Sequence, residues 1–206
     1  MLEDKGYPFK SKEHSQRVME YQKTRRITPH LERYLHEKPG REIYQCPSIL
    51  QYQFTDSFQI KVSHLCCYEL KKKPIANWEK QNSRSIAITG MRAEEGGFRK
   101  QLGCILTKNG KVHRFNPLIK VSDEWEEWFI NERNIKLCRL YSKPYNFDRT
   151  GCKGCPFNPK LQEDLSVMQL YLPNERKQCE QIWKPVYEEY RRIGYRLKNE
   201  EQTKLF

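Results

Sequence analysis

Apolar residues recur along this chain at two spacings, about every third or fourth position and in short unbroken runs, and each spacing predicts an element. The first helical stretch follows Ser11, a side chain able to cap it, and runs to about Arg26 with Val18, Met19 and Tyr21 on a mixed face. Thr28-Pro29 restarts a second short helix, since proline fits a first turn where its missing N–H costs nothing. From Lys38 to Phe58 the pattern fades into loops and short pieces, with Pro39-Gly40 and Cys46-Pro47 marking turns. Ser63 then caps a helix carrying Cys66, Cys67 and Lys71, and Pro74 ends it or begins the next near Trp78.

The run Arg84-Ser-Ile-Ala-Ile-Thr-Gly90 predicts a buried parallel strand. Gly103 to Phe115 reads as a β-hairpin, with Asn109-Gly110 at the two central positions of a type I′ turn. Ser122 opens a helix on which Trp125, Trp128 and Phe129 share one face, so they are expected in the core. Two helical stretches close the chain, about Lys160–Leu170 and Asn174–Arg192, with Pro185 expected to kink the second. The polar tail Lys198–Phe206 is expected to fray. There is no internal repeat, and helices interleaved with strands predict an α/β fold.

Composition narrows the class of partner. The 206 residues carry 38 Lys and Arg against 26 Asp and Glu, a formal charge of +12. That excess favours an anionic partner, whether nucleotide, sulfate, phosphate or nucleic acid. The apolar fraction of 37% is low for a globular domain, although 12 Tyr, nine Phe and four Trp bury large areas each. No apolar run approaches a membrane span, and the polar opening Met1-Leu-Glu-Asp-Lys lacks a signal pattern. A reducing cytoplasm, where clustered thiols serve metals rather than disulfides, is the expected compartment.

Of eight cysteines, four fall into pairs: Cys66-Cys67 and Cys152-Lys-Gly-Cys155. Four converging thiolates make a closed soft-ligand site for zinc or an iron–sulfur cluster, and the adjacent pair leans towards a cluster, since neighbouring side chains diverge. Unliganded cysteines remain a third reading. Cys46, Cys104, Cys138 and Cys179 are scattered and read as small buried or spare residues. His14, His30, His36, His64 and His113 show no ligand spacing, and His64, two residues before Cys66, alone is of interest. Between the pairs, Gly90-Met-Arg92-Ala-Glu94-Glu95-Gly-Gly-Phe-Arg99 follows the predicted parallel strand, where open α/β sheets present ligands. Two arginines beside such a turn can grip sulfate or phosphate through charge-assisted hydrogen bonds.

Cys-Cys, roughly eighty to ninety residues, then Gly-Cys-x-x-Cys resembles the cluster signature of assimilatory adenylyl-sulfate reductases, within the phosphoadenosine phosphosulfate reductase family. The resemblance runs from about Leu65 to Cys155, and Lys71 also matches it. It implies an incomplete adenine-nucleotide-hydrolase-like (Rossmann-like) α/β domain over residues 1–158, with a helix-rich C-terminal extension over 159–206. It further implies a [4Fe–4S] cluster on Cys66, Cys67, Cys152 and Cys155, with Lys71 near it offsetting its charge. Arg92 and Arg99 match the family's substrate-anion element, with Gly96 or Gly97 where the family often has Ser. Asp148-Arg149 would orient the cluster loop or hold phosphate.

Two family features are missing. No Ser-Gly-Gly-x-Asp-Ser phosphate loop occurs, and no Glu-Cys-Gly-x-His tail supplies a nucleophile; Cys179 lies in Lys-Gln-Cys-Glu, with neither the Gly nor the His. No catalytic residue is therefore assigned. The resemblance implies sulfur chemistry on an adenylated or sulfonucleotide substrate, with the nucleotide pocket completed by a second chain or lost by truncation. The alternatives are a DNA or tRNA sulfur-modification component, for which the positive charge speaks, and a non-catalytic zinc-stapled binding module.

Overall fold

The computed structural model describes residues 1–36, 45–148 and 150–198, and the chain divides into two compact units. The first joins Met1–Glu69 to Arg139–Phe206, and the second is Leu70–Cys138.

The first unit is helical. Its helices are α1 (Leu2–Lys5), α2 (Lys12–Thr24), α3 (Pro29–Leu35), α6 (Leu161–Tyr171), α7 (Pro173–Ile182) and α8 (Lys184–Ile193). The cap predicted at Ser11 forms, its Oγ accepting from His14 N–H, and at the predicted Thr28-Pro29 restart Thr28 Oγ1 accepts from Leu31 N–H ahead of Pro29. Within the stretch expected to be irregular, Ser48–Phe54 winds into a 3-10 helix that buries Leu50, Gln53 and Phe54. Pro185 ends a helix rather than kinking one: α7 stops at Ile182 and α8 restarts after Trp183, leaving proline in a first turn. The tail beyond Lys198 lies outside the described residues.

The helices from the two ends of the chain share one core. Phe9, Val18, Leu31 and Leu50 pack in the same cluster as Leu161, Leu165, Val186, Tyr187 and Tyr190. Phe9 meets Phe58 and Tyr190 edge to face, with ring centroids 5.8 and 5.5 Å away. A parallel bridge between Tyr7 and Val62 ties the N-terminus to the segment leading into Cys66. Gly6 permits it: its φ is +102°, and a Cβ there would lie 2.8 Å from the Val62 carbonyl carbon.

The second unit holds α4 (Lys73–Gln81), β1 (Ala87–Ile88), β2 (Ile105–Lys108), β3 (Lys111–Phe115) and α5 (Asp123–Glu132). The sheet order is β1-β3-β2, with β1 parallel to β3 and β2 antiparallel to it. Asn109 and Gly110 take φ of +52° and +73°, the I′ geometry expected of the hairpin.

Two expectations are corrected here. The strand over Arg84–Gly90 is parallel but only two residues long, and Ile88 is 73% exposed. Register puts Ile88, Phe115 and Ile105 side by side on one face, and all three are exposed. A parallel strand is buried only where both sheet faces are covered. The α5 aromatics are likewise not core: Trp125 is 45% and Trp128 55% exposed, and Trp125 stacks on Phe129 at 5.0 Å instead. Helical spacing fixes which side chains share a face, and the neighbouring mass that would bury them is absent within this unit.

Candidate functional site

The first cysteine pair sits at the start of a helix. Leu65 N–H donates to Ser63 Oγ at 3.1 Å, Cys66 and Cys67 are helical, and a π-helical turn over Tyr68–Lys72 runs into α4. Pro74 explains the wider turn, because it has no N–H to close an ordinary bond with the carbonyl four residues back. Cys66 is buried and Cys67 half-buried. Burial pushes the Cys66 thiol up to about 12, and negative charge on Cys67 and Cys155 adds to the rise, as does a hydrogen bond with Cys67. Cys67 and Cys155 therefore each lie within electrostatic reach of Cys66. Cys152 is exposed. Lys71 is exposed on the π-helical turn.

The second pair rides on a tight turn. Cys155 N–H donates to the Cys152 carbonyl at 3.1 Å, and Gly154 has φ +58°. A side chain at Gly154 would meet the Tyr187 hydroxyl at 2.5 Å and Cys179 Sγ at 2.7 Å, so glycine is required on both counts. Lys153 pairs with Glu175 and donates to Gln178 Oε1 at 2.6 Å, fixing the turn to α7. Asp148, expected to orient this loop, pairs with Lys160 just beyond it. Arg149 lies outside the described residues.

Cys179 lies on α7, as expected, fully buried against Gly154, and burial pushes its thiol up to about 11. A buried thiol held protonated is a poor nucleophile. His64 Nδ1 is buried without a partner. The residues that sequence reasoning missed are Trp183, Tyr187 and Tyr190, whose polar tips reach the cysteine turn. Their spacing of four and three was legible as one helical face; its target was not. Among the described residues, no three or more His, Cys, Asp or Glu are drawn together closely enough to hold a metal ion. The donor set at the paired cysteines is all thiol, which fits zinc or an iron–sulfur cluster in chemistry.

Arg92 and Arg99 belong to the second unit. Thr89 Oγ1 donates to Asn116 Oδ1 at 2.6 Å, Asn116 Nδ2 donates to the Gly103 carbonyl, and Ala93 N–H donates to the Ile119 carbonyl. The turn after β1 is thereby held by Asn116 and Ile119. Arg92 is engaged twice, by Asp123 and Glu126 of α5, each at 2.6 Å. Arg99 Nε is 3.2 Å from Glu95 Oε2 but off the line of a hydrogen bond, so this buried atom stays unsatisfied. Arg114 Nε, on β3, is a second buried guanidinium donor without a hydrogen-bond partner in this unit. Of the two predicted anion ligands, Arg92 is thus held by two carboxylates and Arg99 by one.

No helix among the described residues is long and apolar enough to cross a membrane. Neither the curated proteins nor the solved structures offer a match to the chain. The phosphoadenosine phosphosulfate reductase domain matches residues 42–158, just over half of the chain and inclusive of both cysteine pairs and both arginines.

Proposed function

Because this chain belongs to the phosphoadenosine phosphosulfate reductase domain family, we propose that it acts in sulfur chemistry on an adenylated or sulfonucleotide substrate and carries a [4Fe–4S] cluster. Cys66, Cys67, Cys152 and Cys155 would hold the cluster, which supplies electron transfer or electrostatic polarisation when bound. The observation that carries this reading is that both cysteine pairs, distant in sequence, fall in the same compact unit. Lys71 is the candidate for offsetting the negative charge of a four-thiolate cluster. Arg92 and Arg99 would receive the substrate's sulfate or phosphate, each exchanging carboxylate partners for the anion. A second chain supplies the phosphate loop, which is not found in these 206 residues.

The net charge of +12 favours a second reading, in which the substrate is DNA or tRNA receiving sulfur. Anaerobic reconstitution with iron and sulfide, followed by absorption and metal analysis, separates these from a zinc module. About four irons per chain with a brown chromophore supports the cluster. One zinc and no colour sinks it and leaves a metal-stapled binding module. Calorimetric titration with adenylyl sulfate, then with tRNA and duplex DNA across a salt series, identifies the substrate class.

A further inference from the structure

Five consecutive carbonyls of the second cysteine turn each accept a hydrogen bond. Cys152 O receives Cys155 N–H at 3.1 Å and Cys155 O receives Asn158 N–H at 2.9 Å. The other three are taken by one aromatic face at the C-terminus. Trp183 Nε1 donates to Lys153 O at 3.0 Å, the Tyr187 hydroxyl to Gly154 O at 2.5 Å, and the Tyr190 hydroxyl to Pro156 O at 3.1 Å. Arg196 adds a second bond to Pro156 O at 2.6 Å. Tyr187 and Tyr190 are fully buried, so their hydroxyls have no water to fall back on. Rigid rings on a helix hold a loop more tightly than flexible side chains would, because little rotamer freedom is left to lose.

The pattern is one-sided. Three of the five carbonyls are pinned by side chains from the C-terminal helix, whereas the Lys153 and Gly154 amides donate to no backbone carbonyl among the described residues. An amide left uncommitted beside a cysteine is the donor that a metal-bound thiolate wants, since hydrogen bonds to sulfur stabilise its charge.

We propose that Trp183, Tyr187 and Tyr190 are positioning residues for the metal-binding thiols: they pin the carbonyls of the Cys152–Cys155 turn and leave its amides to the sulfurs. This rests on the metal-site reading above. It assigns the C-terminal helix, outside the matched family region, a role at the site. The three side chains never touch the metal; they act through the turn.

The test uses the full chain titrated anaerobically with cobalt(II), its affinity read by chelator competition and its thiolate coordination by the sulfur-to-cobalt absorption band. Tyr187→Phe and Tyr190→Phe each delete one hydroxyl and keep the ring, and each is expected to weaken cobalt by about 10- to 100-fold. Tyr52→Phe is the control. Its hydroxyl bonds Glu189 of α8 at 2.6 Å but does not reach the turn, so its loss is felt by the same helix and leaves affinity unchanged. Should Tyr187→Phe fold poorly, Tyr190→Phe and Trp183→Phe carry the same expectation. Wild-type affinity in all three, with Cys155→Ala abolishing binding, overturns this inference alone. A wild-type chain that takes up neither cobalt nor iron with sulfide overturns the metal-site reading and this inference with it.

Discussion

The two units use similar side chains to opposite ends. In the first, aromatic and aliphatic residues from both chain termini interlock in one core, and Phe9, Leu50, Leu161, Leu165, Tyr187 and Tyr190 are completely buried. In the second, only Asn116 and Ile119 are buried, while Trp78, Ile88, Phe98, Trp125 and Trp128 are exposed. Apolar content is therefore no guide to where stability resides. The first unit completes itself. The second does not bury enough apolar surface to be expected to hold its shape by hydrophobic burial alone.

The largest test of this contrast is a pair of truncations. Leu165→Ala in the first core is expected to cost about 3 to 4 kcal/mol in denaturant unfolding, through lost transfer energy and a cavity. Trp128→Ala, despite removing a larger side chain, is expected to cost less than about 0.5 kcal/mol, as surface changes do. Equal losses would break the comparison. Glycines sharpen it. Gly154→Ala is expected to cost about 3 kcal/mol, combining left-handed backbone with a clash against Tyr187 and Cys179. Gly97→Ala has a like φ of +60° but open space around it, and is expected to cost about 1 kcal/mol.

A pH test addresses the polar part of the first core. His14 Nε2 lies 2.8 Å from Gln53 Oε1, which can only accept, so the ring proton sits on Nε2 and Nδ1 accepts from the Tyr34 hydroxyl at 2.9 Å. Burial lowers its pKa to about 4. The unfolded chain binds this proton near pH 6.5 while the folded one does not, so the contribution is whole above 6.5 and is lost as pH falls towards 4. A loss on the order of 2 kcal/mol over that window is expected, and His14→Phe should flatten the profile. A variant profile as steep as wild type would assign the acid sensitivity elsewhere. The smallest effect belongs to the second unit: Asp123→Asn, which loosens an exposed pair with Arg92, is expected to change stability by less than about 0.5 kcal/mol. Tighter sulfate binding by that variant in calorimetry would show Arg92 released for the anion.

What was legible in the sequence was local. The cap at Ser11, the helix starts at Thr28-Pro29 and Ser122, and the Asn109-Gly110 turn each depend on residues within a few positions, and each formed. Family membership was also legible, from the two cysteine pairs with Arg92 and Arg99 between them in order. The exposure of Trp125, Trp128 and the Arg84–Gly90 strand was not. A helical face or an apolar run records what a segment offers, and burial depends on what another segment brings. The α8 donors were missed for the same reason, since Tyr187 and Gly154 meet only after the chain has folded back.

The first unit is assembled from the two ends of the chain, with the second spliced between them. That arrangement has a consequence in time. A ribosome releases Phe9 and Val18 long before Tyr187 and Tyr190, so the early helices wait with their apolar faces uncovered until the last helix emerges. Synthesis must reach Tyr190 before the core can close, and contacts so far apart in sequence slow folding. The same wiring tolerates a cut. Once folded, a break in the second unit leaves two fragments still interlocked through the shared core.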